Sequence, residues 1–254
     1  MPWPVPHRGD FLNKPFKGTL SGYWSGRKYY KASHKVRAQY RAALLADGYT
    51  RIYFDLFGQW GNKDSYFDHP KDLLPFLQEA AADGLGPVVF LGPEDDKPAQ
   101  AKWPPHKFIV QLRKFITICG PCIAECVLGV EVEEYWSDDD VSTIGKALRQ
   151  WFSGPIWVHR STGEHGPWAW WKQQTWATGL AYQFNKRDKK NGGFLAHPAD
   201  VRAETALYAG RLKTHGGGKQ LLAGEYAWKR PEAKGRALGQ EALTAGAVGA
   251  MNGV

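Results

Sequence analysis

Short apolar runs alternate with amphipathic stretches along this chain, and the alternation predicts its elements. Residues 51–57 read Arg-Ile-Tyr-Phe-Asp-Leu-Phe, a run of buried-strand type, and similar runs fall at 87–91, 126–133, 155–160, 179–184, 221–226 and 247–251. A weaker one, 16–24, stands before them as a first strand. Between the runs, apolar positions recur at helical spacing. Val36, Tyr40, Ala43, Leu44 and Ala46 predict a helix over 34–47 that Gly48 closes. The same reasoning places helices at 72–83, 108–118, 138–152, 200–214 and 231–245, with a short or irregular one in the Trp-rich stretch 168–176. Ser137 followed by Asp138, Asp139 and Asp140 reads as a helix N-cap with acids in the first turn, and this explains the three acids better than a metal cluster does.

Strands of buried type separated by helices predict a parallel sheet in an α/β fold. Eight such units in 254 residues fit a closed (β/α)8 TIM barrel, which typically takes about 250 residues. No glycine-rich dinucleotide fingerprint follows the first strand, which argues against an open Rossmann sheet. The pattern supplies seven helices and leaves the last one missing. Residues 1–254 read as a single barrel domain, with 1–15 as an N-terminal extension that covers one side or the bottom.

Composition adds one outlier. Hydrophobic residues make up 43%, enough for a sizeable core, but 12 Trp stand beside 11 Tyr and 12 Phe. Indoles in such number serve either as core filler or as platforms on which sugar rings stack. A formal net charge of +8 favours anionic partners, yet the charge is dispersed. Its densest cluster, Lys186 to Lys190, reads as a solvated loop. No RNP motif, zinc-finger spacing or basic helix is present, so no dedicated nucleic-acid binding is expected. No apolar run reaches the ~18 residues of a membrane span, and residues 1–8 lack a signal-peptide core. The expectation is a soluble chain, cytoplasmic or released by another route.

Cys119-Gly120-Pro121-Cys122 matches a redox tetrapeptide, but it follows a helix and precedes a strand. That is the reverse of the setting that lowers a thiol pKa. With Cys126 it also lacks a fourth zinc ligand at the usual spacing. Neither a metal nor a cofactor is expected.

Barrel chemistry gathers at the C-terminal ends of strands. Those ends carry Asp55 and Trp60; Glu131, Glu133, Glu134 and Tyr135; His159 and Arg160; Tyr182; and Glu225, Tyr226 and Trp228. The set is rich in carboxylates and aromatics and contains no P-loop or HExxH. Two carboxylates facing one another are what acid/base attack on a glycosidic bond requires. Trp168, Trp170, Trp171 and Trp176 read either as a wall of sugar subsites or as a hydrophobic plug. His159 and Arg160 read either as a site for an acidic sugar or, for the arginine, as a structural ion pair with Glu164 or Asp55.

At Glu133-Glu134 and Gly224-Glu225 the chain resembles the retaining glycosidase clan of (β/α)8 barrels, which includes cellulase-like and β-galactosidase-like enzymes. The resemblance covers the layout of strands two to eight, and its motifs are short. It implies a glycoside hydrolase cleaving a polysaccharide or cell-envelope glycan, with Glu134 as acid/base on strand four and Glu225 as nucleophile on strand seven. Tyr182 or Tyr226 would orient Glu225. Glu131, Tyr135, His159, Arg160, Trp171, Trp228, Asp55 and Trp60 would line the substrate. The departures are Glu133 in place of the clan's Asn, and Met251 and Asn252 where Trp is frequent on strand eight. Strand parity also puts Glu131 and Glu133 on one face and Glu134 on the other, which makes Glu133 a rival acid. Glu131-Val132-Glu133 further resembles the acid pair of muramidase-like lysozyme barrels acting on peptidoglycan. A barrel that binds carbohydrate without cleaving it is the third alternative.

Overall fold

The computed structural model describes residues 9–11, 29–56, 66–93, 102–161, 165–183, 187–188, 193–194, 197–224 and 232–252. Eight parallel strands close a barrel: β1 (Gly9–Phe11), β2 (Arg51–Asp55), β3 (Gly86–Leu91), β4 (Glu125–Leu128), β5 (Ile156–Arg160), β6 (Gly179–Gln183), β7 (Gln220–Gly224) and β8 (Gly249–Asn252). Closure is made by β1, whose Gly9 pairs with both Met251 of β8 and Arg51 of β2. The helices alternate with the strands as the sequence pattern predicts. They are α1 (His34–Ala46), α2 (Pro70–Ala82), α3 (Pro105–Cys119), α4 (Asp138–Trp151), α5 (Trp168–Gln173), α6 (Pro198–Thr214) and α7 (Glu232–Thr244). A two-residue antiparallel ribbon, Arg187–Asp188 with Gly193–Phe194, lies between β6 and α6 in sequence.

Two expectations are corrected. The first barrel strand is Gly9–Phe11, inside the stretch taken for an N-terminal extension, and the expected strand at 16–24 lies outside the described residues. The fourth strand ends at Leu128 instead of continuing to Glu133.

Alternate strand residues divide between two packed layers. Tyr53, Val88, Phe90, Val127, Trp157, Ala181 and Leu222 fill the barrel interior. Their neighbours Ile52, Phe54, Val89, Leu91, Cys126, Leu128, Ile156, Val158, Leu180, Tyr182, Leu221 and Ala223 pack outward beneath the helices. The bottom of the barrel is polar. Arg51 Nε donates to Glu125 Oε1 at 2.7 Å and Trp157 Nε1 donates to Glu125 Oε2 at 2.7 Å, all three residues being buried. Gly86, on the strand between, leaves room for this crossing: a Cβ there would stand 2.7 Å from Arg51 Cδ. A cavity of about 780 Å³ opens at this same end, lined by Arg51, Trp151 and Phe152 among others.

The helices are anchored by local chemistry. Ser137 and Asp140 form a reciprocal capping box at the start of α4. Arg37 and Arg41 of α1 pair with Glu79, and Arg41 also with Asp83, tying α1 to α2.

Candidate active site at the C-terminal rim

The rim above β4 is built by a turn instead of a strand. Gly129 follows β4 at φ 76°, and Glu131 adopts φ 52°, a left-handed conformation that ordinary side chains rarely take. Val132–Glu134 then form a 3₁₀ turn. Tyr135 folds back over the turn, its hydroxyl accepting the Val130 N–H at 3.0 Å. The parity argument that paired Glu131 with Glu133 therefore does not apply, because 131–134 is not extended.

The turn separates the three glutamates by environment. Glu134 is exposed, whereas Glu131 and Glu133 are half-buried. Glu133 Oε1 accepts the Ser161 N–H at 2.8 Å and is also bonded by Ser161 Oγ. Its other oxygen, Oε2, is buried and has no hydrogen-bond partner among the described residues.

His159 lies on the inward face of β5, edge-on to the Phe90 ring of the barrel interior at 5.7 Å. Its Nδ1 accepts the Glu131 N–H at 3.0 Å, so the neutral ring carries its proton on Nε2. Burial pushes the imidazole pKa down to about 3. Nε2 is buried with no partner among the described residues, so the rim contains an uncharged donor in a dry setting.

Several expected contacts are placed elsewhere. Arg160, next to His159 on β5, pairs with Asp138 at the start of α4 at 2.5 Å and lies over the Trp170 ring at 5.3 Å. Arg160 thus forms an ion pair with Asp138, while Glu164 lies outside the described residues. His159 is thus neutral, and one end of the Arg160 guanidinium is engaged by Asp138. Tyr182 packs outward beneath α6, donating to Glu204 at 2.9 Å and contacting the Tyr208 hydroxyl at 3.0 Å. It sits in the layer between sheet and helix. Trp171 is fully buried with Nε1 bonded to the His165 carbonyl at 2.8 Å, and Trp176 is buried too. For these two the plug reading holds, while Trp168 and Trp170 are half-buried against the core. Tyr135 supports the β4 turn.

Asp55, the last residue of β2, is half-buried and shares the inward register of Tyr53. Glu225, Tyr226, Trp228 and Trp60 lie outside the described residues. Glu225 directly follows Gly224, the last residue of β7.

Sequence reasoning missed Ser161. The signal was present in the period-two column Trp157, His159, Ser161, which runs one step past the end of β5.

Among the described residues no cluster of His, Cys, Asp and Glu could hold a metal ion. The three cysteines are free thiols. Burial pushes Cys119 up to about 12 and Cys126 well above its usual value, the opposite of what redox chemistry requires. Among the described residues no helix is long and apolar enough to cross a membrane.

No family model matches the sequence, and no curated protein matches it. Solved structures match the fold. A GH113 β-mannanase from Alicyclobacillus acidocaldarius superposes with a TM-score of 0.61 at 10% identity, covering 99% of this chain and 88% of that one. Thermotoga maritima Cel5A, solved with mannotriose, gives 0.62 at 10% identity, covering 97% and 89%. A glycoside hydrolase family 5 protein from Bacteroides vulgatus gives 0.62 at 11% identity, covering 98% of this chain and 58% of its own. A monomeric dihydrodipicolinate synthase variant also matches, with a TM-score of 0.55 at 12% identity. The likeness shows a (β/α)8 barrel whose structural neighbours include glycoside hydrolases. Because the same barrel also carries other chemistry, function has to be argued from the site.

Proposed function

We propose that this chain is a glycoside hydrolase that cleaves a polysaccharide or cell-envelope glycan with two glutamates, one from the turn after β4 and Glu225 from the end of β7. The observation that carries the reading is Glu133, a half-buried rim carboxylate with one oxygen fixed and the other buried without a partner. A general acid must be held still and shielded from water, and Glu133 meets both needs better than the exposed Glu134. Glu133 donates its proton to the leaving oxygen as Glu225 attacks the anomeric carbon. Glu133 then takes a proton from the water that releases the sugar, which gives net retention. The neutral His159 Nε2–H suits a sugar hydroxyl and offers no charge to an anionic group. The muramidase-like alternative, carried by Glu131-Val132-Glu133, names the same Glu133 as the acid but has no partner on strand seven.

The test is a panel of aryl β-glycosides, β-mannan, carboxymethylcellulose and peptidoglycan, assayed with wild type and with Glu133→Gln, Glu134→Gln and Glu225→Gln. Glu133→Gln and Glu225→Gln are expected to lower kcat by roughly 10²–10⁴-fold, the range for a lost general acid or nucleophile. Glu134→Gln should cost less than about tenfold. Wild type that binds a glycan but cleaves none would establish the non-catalytic barrel instead, and an inverted anomer by NMR would remove retention.

A further inference from the structure

We infer that Ser161 is the positioning residue for Glu133, fixing which of its two oxygens holds the transferable proton; this rests on Glu133 being the acid. Ser161 stands one residue beyond β5, on the inward column that begins at Trp157 and His159. Its backbone N–H and its hydroxyl both converge on Glu133 Oε1. An oxygen that accepts two donors has its lone pairs committed, and a proton placed there would face those donors. The proton of the acid form therefore belongs on Oε2, the oxygen that has no partner among the described residues.

The neighbouring contact holds the same turn by its backbone. His159 Nδ1 accepts the N–H of Glu131, the residue at φ 52°. Strain of that kind persists only where the surroundings hold it. β5 thus holds the β4 turn at two points: His159 grips the strained backbone and Ser161 grips the side chain two residues on. Ser161 itself need touch no substrate. Its effect on a proton transfer runs through the carboxyl it orients, and it converts a flexible glutamate into a group with one working oxygen.

The experiment titrates the Glu133 carboxyl by NMR in protein labelled with carboxyl-¹³C glutamate, with the resonance assigned through E133Q. Wild type, S161A and S161T are compared, and aryl β-glycoside hydrolysis is measured separately on the same samples. Losing a hydroxyl that donates to the carboxylate is expected to raise the midpoint in S161A above that of wild type. S161T, which keeps a hydroxyl, is expected to return the midpoint towards wild type. An unchanged midpoint in folded S161A overturns the assignment, and so does an S161T midpoint that stays with S161A. If the midpoint moves as expected while wild type hydrolyses no glycoside, the glycosidase reading fails and the hold of Ser161 on Glu133 stands.

Discussion

His159 shows a residue whose position was legible in the sequence and whose charge was not. An apolar run ending in His-Arg marks a strand end, but which of the two faces the interior, and how dry that interior is, depends on strands far away in the chain. Burial keeps the ring neutral down to about pH 3, whereas an unfolded histidine takes up a proton below about 6.5. The folded pKa is depressed, so the unfolded chain binds the extra proton between these limits. Stability from this group is therefore complete above about pH 6.5 and falls as the pH drops towards 3, by roughly 1.4 kcal/mol per unit. Carboxylates titrate in part of the same window, so the comparison has to be with a variant. Urea unfolding of wild type and His159→Gln should show their stability difference shrinking by about that amount per unit between about pH 6 and 4. A difference that stays flat with pH would mean the ring is not buried neutral.

The β4 turn is the element that the sequence pattern misread. Val127, Val130 and Val132 interspersed with Glu131 and Glu133 look like a strand continuing to 133, because period two is the only local signal there. Gly129 is the exception within that run, and glycine inside a strand pattern often marks a bulge or close approach. The structure shows both a left-handed φ and a tight fit, since a Cβ on Gly129 would lie 1.9 Å from Val132 Cγ1 and 2.8 Å from the Tyr135 hydroxyl. Gly84 has a similar φ of +87° with no atom within 4 Å of its hypothetical Cβ, so it isolates the cost of backbone conformation. Gly84→Ala is expected to destabilise by ~1–2 kcal/mol, the left-handed penalty alone. Gly129→Ala should lose a further ~1–3 kcal/mol because Val132 and Tyr135 must shift. Urea midpoints of the two variants measure this, and equal losses would show that the turn tolerates the extra atom. Ser161 was missed at this scale for a related reason: its partner lies 28 residues away, and only the pairing of β5 with β4 brings them together.

Across the whole molecule the parallel barrel was legible in outline, and the make-up of its two ends was not. The alternation of runs reported the parallel barrel because every interior strand except β1 carries its own apolar pattern. β1 is three residues long and is defined by pairing to β2 and β8, which leaves almost no local trace. The bottom of the barrel was equally hidden: Arg51 and Glu125 stand 74 residues apart and read as ordinary strand flanks. There the buried Arg51–Glu125–Trp157 group lies at strand starts, away from the rim carboxylates, and on the proposed function is expected to serve stability. Glu125→Gln would remove the carboxylate charge that the buried Arg51 Nε meets, and a loss of up to ~3–5 kcal/mol is expected. Replacing both partners by apolar residues, Arg51→Met with Glu125→Leu, removes both buried charges and should recover part of that loss, the rest going to the Trp157 Nε1–H that loses its acceptor. In aryl β-glycoside assays below the melting transition, the folded Glu125→Gln protein should keep its kcat within about twofold, because the change sits at the stability face. Chemical denaturation and initial rates on the same preparations distinguish the outcomes. A large fall in kcat without loss of stability would mean the bottom group reaches the rim, and the division of the barrel into a stabilising end and a working end would have to be abandoned.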